Sequence, residues 1–302
     1  MNDFAESVNQ KIYELIIKEQ FEDIYNELKL LDKYVIAKGA TLSMLCYNNP
    51  TQRGSGDIDV LLPRDSAKQF EQLLHSKGYH SLFSGRKQRI FALLSSHQLI
   101  PLVKKLNFST SKIDINFSVF WGEYEGKLIN IDEFLSDAIE INIYGMKVKT
   151  LPPLKAMVQL ILHHYKDMNS IFLLATRKSI KYSMFNDVFY LLKNNLDTIS
   201  IDKLYNISVK YNIVPYVFYV LYYTGEIFED VTLKKYIEAF RTSEGGVLLN
   251  RYGLCIKEQK EWKYDFNTRL KTEDLYNLIK SDLTNEDEEK IAINKQIFMG
   301  RN

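Results

Sequence analysis

Arg53-Gly54-Ser55-Gly56-Asp57-Ile58-Asp59-Val60-Leu61-Leu62 is the stretch on which the reading of this chain turns. Small residues run into two carboxylates that flank one apolar residue, and an apolar strand follows. Side chains alternate faces along a strand, so Asp57 and Asp59 share one face while Ile58 and Val60 share the other. Two neighbouring carboxylates raise each other's pKa unless a cation lies between them. A divalent metal stabilises such a pair most simply, typically Mg²⁺ with phosphate oxygens completing its octahedron. A bare Asp-x-Asp is better explained as two solvated aspartates on a hairpin. Here the Gly-Ser-Gly lead-in and the apolar strand after it favour the metal.

At 302 residues, with 46% apolar and 25% charged residues, the chain is globular and long enough for one large domain or two ordinary ones. A net charge of +1 gives no global reason to expect a nucleic-acid or membrane partner. Cys46 and Cys255 lie far apart without a C-x-x-C pattern, which fits reduced thiols in a cytoplasmic protein. The segment Met1-Asn2-Asp3-Phe4-Ala5-Glu6 has neither a basic nor an apolar run, so no signal peptide is expected. No apolar run is long enough to span a bilayer. The many tyrosines and phenylalanines, beside abundant Lys, Asn and Ile, are read as AT-rich coding bias.

Working outward from residue 57, residues 8–31 have an amphipathic helical pattern carried by Ile12, Leu15, Ile16, Phe21, Ile24, Leu28 and Leu31. Residues 34–37 form a short strand, Lys38-Gly39 turns it into a helix over 40–47, and 48–52 is a loop. Pro63 ends the Asp57 strand, and Asp65 or Ser66 caps a helix closing near Lys77-Gly78. Strands are expected over 79–83 and 89–94, around a turn at Gly85-Arg86-Lys87. Lys112 to Phe120 alternates polar and apolar residues, with Lys112, Asp114, Asn116 and Ser118 on one face and Ile113, Ile115, Phe117 and Val119 on the other. Asp114 is thus a third strand carboxylate. Residues 140–150 predict a hairpin turning at Tyr144-Gly145. Helices follow over 154–166, 182–194, 201–211 and 215–223. Gly245-Gly246 marks a loop, 247–270 fits strand or helix, and Glu286 to Glu289 is a solvated acidic helix face. The expected fold is α+β, a small mixed sheet flanked by helices and followed by a helical bundle. Its divisions are a catalytic domain over 1–150, a helical domain over 151–240 and a C-terminal extension over 241–302.

Lys38-Gly39, Asp57-x-Asp59 and the later Asp114 together resemble the polymerase-beta-like nucleotidyltransferase superfamily. The closer similarity is to a bacterial branch of uncharacterised nucleotidyltransferases. It is carried by Ala37 to Leu42, by Arg53 to Leu62, by Leu73-Leu74-His75-Ser76-Lys77-Gly78-Tyr79, by Ile113 to Asn116 and by Leu151-Pro152-Pro153-Leu154. The resemblance covers about residues 30–225. It implies an enzyme moving a nucleoside monophosphate from an NTP to a hydroxyl or similar acceptor on a small molecule, peptide or sugar. Asp57, Asp59 and Asp114 would be both catalytic and metal-binding, with Mg²⁺ or Mn²⁺ as cofactor and Asp114 as a possible general base. Lys38, Gly39, Thr41, Arg53 and Ser55 would bind the nucleotide. The superfamily usually has Gly-Ser or Gly-Gly where this chain has Gly39-Ala40, which makes Thr41 the substitute hydroxyl.

Abortive-infection-type toxins that modify tRNA carry a similar motif and form the alternative reading. A catalytically silent nucleotide- or partner-binding relative is the third. From Gln72 to Ile113 the chain has no acid but carries Lys77, Arg86, Lys87, Arg89, Lys104, Lys105 and Lys112, either a basic rim for an anion or ordinary surface lysine. A second acid-free run, 168–186, carries Arg177, Lys178 and Lys181. His163-His164 are adjacent and point to different helix faces. His97 is a substrate contact or a plain loop residue, Cys46 a core residue, and Asp187 a buried contact or a contributor to the site.

Overall fold

The computed structural model describes residues 2–82, 85, 97–121, 128–176 and 179–299. They divide into two compact units, one comprising the described residues up to 121 and Ile129–Ala156, the other Leu128 and the described residues from Met157 onward. Residues 241–299 fall in the second unit.

The first unit is built on a mixed sheet. Helix α1 (Asn2–Leu28) leads into β1 (Val35–Ile36), α2 (Ala40–Tyr47), β2 (Ile58–Leu61) and α3 (Arg64–Ser76). Strands β3 (His80–Ser81), β4 (Leu102–Lys105) and β5 (Thr110–Asn116), helix α4 (Ile131–Phe134) and the β6 (Ile139–Ile143)–β7 (Met146–Thr150) hairpin follow. Among the described residues the sheet has seven strands in the order β3-β4-β5-β2-β1-β7-β6. Strand β2 lies inside it, antiparallel to β1 and parallel to β5. Ile58, Val60, Ile113 and Ile115 share one face and are buried in one core, and Leu61 is buried as well.

Helix α1 packs on this sheet through Ile17, Phe21, Ile24 and Leu28, spaced four, three and four residues apart as one helical stripe requires. Ile12 and Leu15, expected in that stripe, are 50% and 63% exposed. The opposite register of acids on α1 clamps the β4–β5 hairpin. Glu19 accepts from the backbone N–H groups of Asn107 and Phe108, and Asp23 accepts from the Tyr79 hydroxyl at 2.7 Å and pairs with Lys104 at 2.5 Å.

Several local expectations meet their physical test here. Helix α2 spans the expected residues, closed by Asn48 in the left-handed region at φ 52°. The hairpin turns through Tyr144 and Gly145, both with positive φ. Helix α3 starts two residues earlier than a cap at Asp65 would allow. Pro63 holds the N-cap position, and Asp65 sits in the first turn, where its charge suits the helix dipole. Strand β5 stops at Asn116, short of Phe120. Strand β4 had no counterpart in the expected elements. The expected strand over 89–94, with Arg86 and Lys87, lies outside the described residues.

The second unit is helical. The C-terminal part of α5 (Pro153–Asn169) leads into α6 (Ile171–Thr176), α7 (Tyr182–Lys193), α8 (Ile201–Lys210), α9 (Val214–Gly225) and α10 (Val231–Ala239). Helix α11 (Ser243–Leu248) contains Gly245 and Gly246, where a loop was expected. The Thr242 hydroxyl caps it by accepting from the Gly245 N–H at 3.0 Å, and Gly245 lies so close to the Phe218 ring that a Cβ would collide with it. A small β8 (Arg251–Tyr252)–β9 (Lys260–Glu261) hairpin and helices α12 (Phe266–Lys271), α13 (Tyr276–Ile279) and α14 (Asn285–Met299) complete it. The aromatic excess has a structural use here: Tyr165, Tyr216, Tyr219, Tyr223 and Phe266 form a run of ring contacts 4.2–5.1 Å apart. Within the acidic run of α14, Asp287 is buried and paired with Lys260 at 2.9 Å, so that face is not wholly solvated. No helix among the described residues is long and apolar enough to cross a membrane.

Candidate active site

The site is assembled where β1, α2, β2 and β5 meet. Gly39, at φ 65° and ψ −132°, makes the turn from β1 into α2, a conformation that a side chain strains. A Cβ there would also stand 3.0 Å from Ser55 Oγ and 3.5 Å from the Asp57 carbonyl. The glycine-rich loop therefore lies directly against the turn. Ser55 donates to that Asp57 carbonyl at 2.8 Å, and the Tyr13 hydroxyl of α1 donates to the Ser55 carbonyl at 3.1 Å and also accepts from the Ser55 N–H. Burial raises the Tyr13 pKa, so the phenol stays protonated for this clamp. Gly39→Ala is expected to lower stability by about 1–3 kcal/mol through backbone strain and to shift the 53–57 loop. Denaturant unfolding followed by circular dichroism checks it, and an unchanged midpoint would contradict it.

Thr41 is fully buried, and its hydroxyl donates to the Ile36 carbonyl at 2.8 Å, with the Lys38 carbonyl at 3.0 Å. The hydroxyl expected to face a phosphate is thus engaged inside the turn, which it braces. Arg53 donates its backbone N–H to Ser43 Oγ at 2.9 Å. Lys38 points its ammonium at Asp59 Oδ1, 2.8 Å away.

The carboxylates come from neighbouring elements. Asp57 immediately precedes β2, Asp59 lies within it, and parallel pairing sets Asp59 directly beside Asp114 on β5. Register partners on adjacent strands point to the same face, so two carboxylates separated by 54 intervening positions become neighbours. Asp59 also accepts from Asn116 Nδ2 at 3.2 Å. Lys112 reaches Asp57 Oδ2 at 3.1 Å and Asp114 Oδ2 at 3.5 Å. Asp114 is 8% exposed, and its Oδ1 is buried without a hydrogen-bond partner. Burial, with the charge of Asp59 and against that of Lys112, pushes the Asp114 pKa up to about 6.

That shift predicts a pH-dependent stability. A carboxyl with a folded pKa near 6 and an unfolded value of 3.8 holds more protons folded than unfolded between those limits. Its contribution to stability therefore falls as pH rises through that window. Compared at each pH without divalent ions, Asp114→Asn is expected to gain on the native chain from about pH 4 to pH 6 and then level off. A stability difference independent of pH would contradict it.

Three aspartates supply only oxygen donors, a set suited to a hard divalent cation, and the unpartnered Asp114 Oδ1 is a lone-pair site such an ion would satisfy. The residues fit Mg²⁺ or Mn²⁺. Among the described residues no three His, Cys, Asp or Glu side chains form a preformed metal cage. Lysines stand among the carboxylates instead.

Lys112, Asn116 and Tyr13 were not among the expected site residues. Lys112 and Asn116 carried a signal, two positions either side of Asp114 on the same strand face. Tyr13 carried none, being 42 positions from the residue it clamps. The expected basic rim is partly neutralised: Lys77 pairs with Glu27 at 3.2 Å, Lys104 with Asp23, and Lys112 with the site itself. Arg86, Lys87, Arg89, Arg177 and Lys178 lie outside the described residues. His163 pairs with Asp167 at 3.3 Å, and Cys46 and Asp187 are buried.

Residues 8–229 match the family described as uncharacterised nucleotidyltransferase. The chain belongs to that family, and the protein is a nucleotidyltransferase. Among solved structures it is similar to an antigenic nucleotidyltransferase-like protein from Paracoccidioides brasiliensis, at 17% identity and a TM-score of 0.37, over 64% of this chain and 88% of that one. No curated protein matches the sequence.

Proposed function

We propose that this protein moves a nucleoside monophosphate from an NTP to a hydroxyl or similar acceptor on a small molecule, peptide or sugar, with Asp57, Asp59 and Asp114 as its catalytic and cation-holding groups. The observation that carries the reading is the register of Asp59 beside Asp114, with Asp57 two residues upstream. The acceptor oxygen bonds to the α-phosphorus, the bond from that phosphorus to the bridging oxygen breaks, and pyrophosphate leaves. The acceptor's proton passes to Asp114, whose carboxylate lies beside Asp59 on the neighbouring strand. Mg²⁺ or Mn²⁺ held by the three aspartates would neutralise phosphate charge and acidify the acceptor hydroxyl. Gly39 keeps the turn into α2 free of a Cβ, so that backbone N–H groups can meet a phosphate. Ser55 and Arg53 belong to the loop lying over that turn. Lys38 orients Asp59, and Thr41 braces the turn.

The carboxylate partners of Lys77 and Lys104 favour a small acceptor over a long RNA, which binds through many phosphate contacts. Incubation with each labelled NTP and Mg²⁺, offered metabolite, peptide and RNA fractions, tests the reading. Label in a small product or peptide supports it. Label in tRNA would replace it with the toxin-like alternative, and nucleotide binding without transfer in any fraction would replace it with a silent binder.

A further inference from the structure

Lys112 touches two of the three aspartates at once. Its ammonium is 3.1 Å from Asp57 Oδ2 and 3.5 Å from Asp114 Oδ2, while Lys38 takes Asp59 Oδ1 at 2.8 Å. Each carboxylate therefore has an ammonium partner, and Asp114 keeps one buried oxygen, Oδ1, unpartnered. Burial works against the Lys112 charge but is outweighed by Asp114 and Asp57, so the ammonium is retained. A divalent cation bound through the same two Oδ2 atoms would sit within a few ångströms of that ammonium. Like charges at such range in a half-buried site repel strongly.

We propose that Lys112 is a positioning residue that spans Asp57 and Asp114 and competes with a divalent cation for them, so that cation binding requires Lys112 to leave both. Lys38 differs, because it holds a single oxygen of Asp59 and lies on the opposite side of β2, on the β1 turn. The arrangement sets the cation affinity of the nucleotide-free site below what its three carboxylates would otherwise give. This inference rests on the aspartates holding a divalent cation, as set out under the proposed function.

The test is Mn²⁺ titration followed by electron paramagnetic resonance, without nucleotide, on the full chain and on Lys112→Met, Lys112→Gln and Lys112→Arg. Loss of the competing charge is expected to tighten Mn²⁺ binding about tenfold in Lys112→Met and Lys112→Gln, and to leave Lys112→Arg near the native value. In EDTA both neutral variants are expected to melt below the native chain, and Mn²⁺ should recover them. Lys112→Gln keeps a polar side chain, so the test survives if Lys112→Met does not fold. Unchanged or weaker Mn²⁺ binding in the folded neutral variants, with binding still abolished by Asp57→Asn, would overturn the competition alone. Absence of Mn²⁺ binding in the native chain and in every Lys112 variant would instead overturn the cation site itself, and the proposal with it.

Discussion

Asp59→Asn is expected to lower nucleotidyl transfer by about a thousandfold or more, equivalent to about 4 kcal/mol of transition-state stabilisation. Asp59 is the buried centre of the site, joined to Lys38 at 2.8 Å and to Asn116 at 3.2 Å. Asparagine keeps an oxygen for both donors and nearly the same volume, so the sheet holds. What it removes is the negative charge that, in the proposed mechanism, holds a cation against a triphosphate. Alanine would also strand the Lys38 ammonium in a half-closed setting and confuse lost chemistry with lost stability. Label transfer, with circular dichroism and unfolding midpoints alongside, checks this. Turnover within tenfold of the native chain in a folded variant would remove Asp59 from the chemistry.

Asp114→Asn is expected to reduce turnover by about 10²–10⁴ while leaving NTP affinity within a few-fold of native. Asp114 sits beside Asp59 on β5 and is almost fully buried. Its amide could still accept from Lys112 but could not take a proton from an acceptor hydroxyl. Equilibrium nucleotide binding and single-turnover transfer separate the two quantities. Equal loss of both would make Asp114 a binding residue, and unchanged turnover would exclude it from the site.

Local chemistry was legible where the determinants were local. Helix α2 begins after Gly39 and ends at Asn48, residues whose backbone preferences alone mark such boundaries. The Tyr144-Gly145 turn followed in the same way from its flanking alternation. Gly245-Gly246 misled, because a Thr242 cap and the Phe218 ring outweigh the weak helix propensity of glycine. The acid-free run with its lysines overstated the positive charge, since Glu27 and Asp23 arrive from α1, more than 45 positions earlier. A sequence window cannot contain partners brought together by packing.

By itself the sequence determined that Asp57 and Asp59 flank one apolar residue where a strand begins, that Asp114 lies on another strand, and that a glycine turn precedes them. Each follows from backbone periodicity or from glycine's missing Cβ, which act over a few residues. Only the tertiary structure decided that β2 and β5 pair in parallel with Asp59 beside Asp114, that Thr41 turns inward, and that Lys38 and Lys112 become the carboxylates' partners. Strand pairing and ion pairing are chosen by competition among all buried surfaces and charges at once. That competition has no local signature in the chain, and it set Asp59 beside Asp114 and joined Asp57 to Asp114 through Lys112.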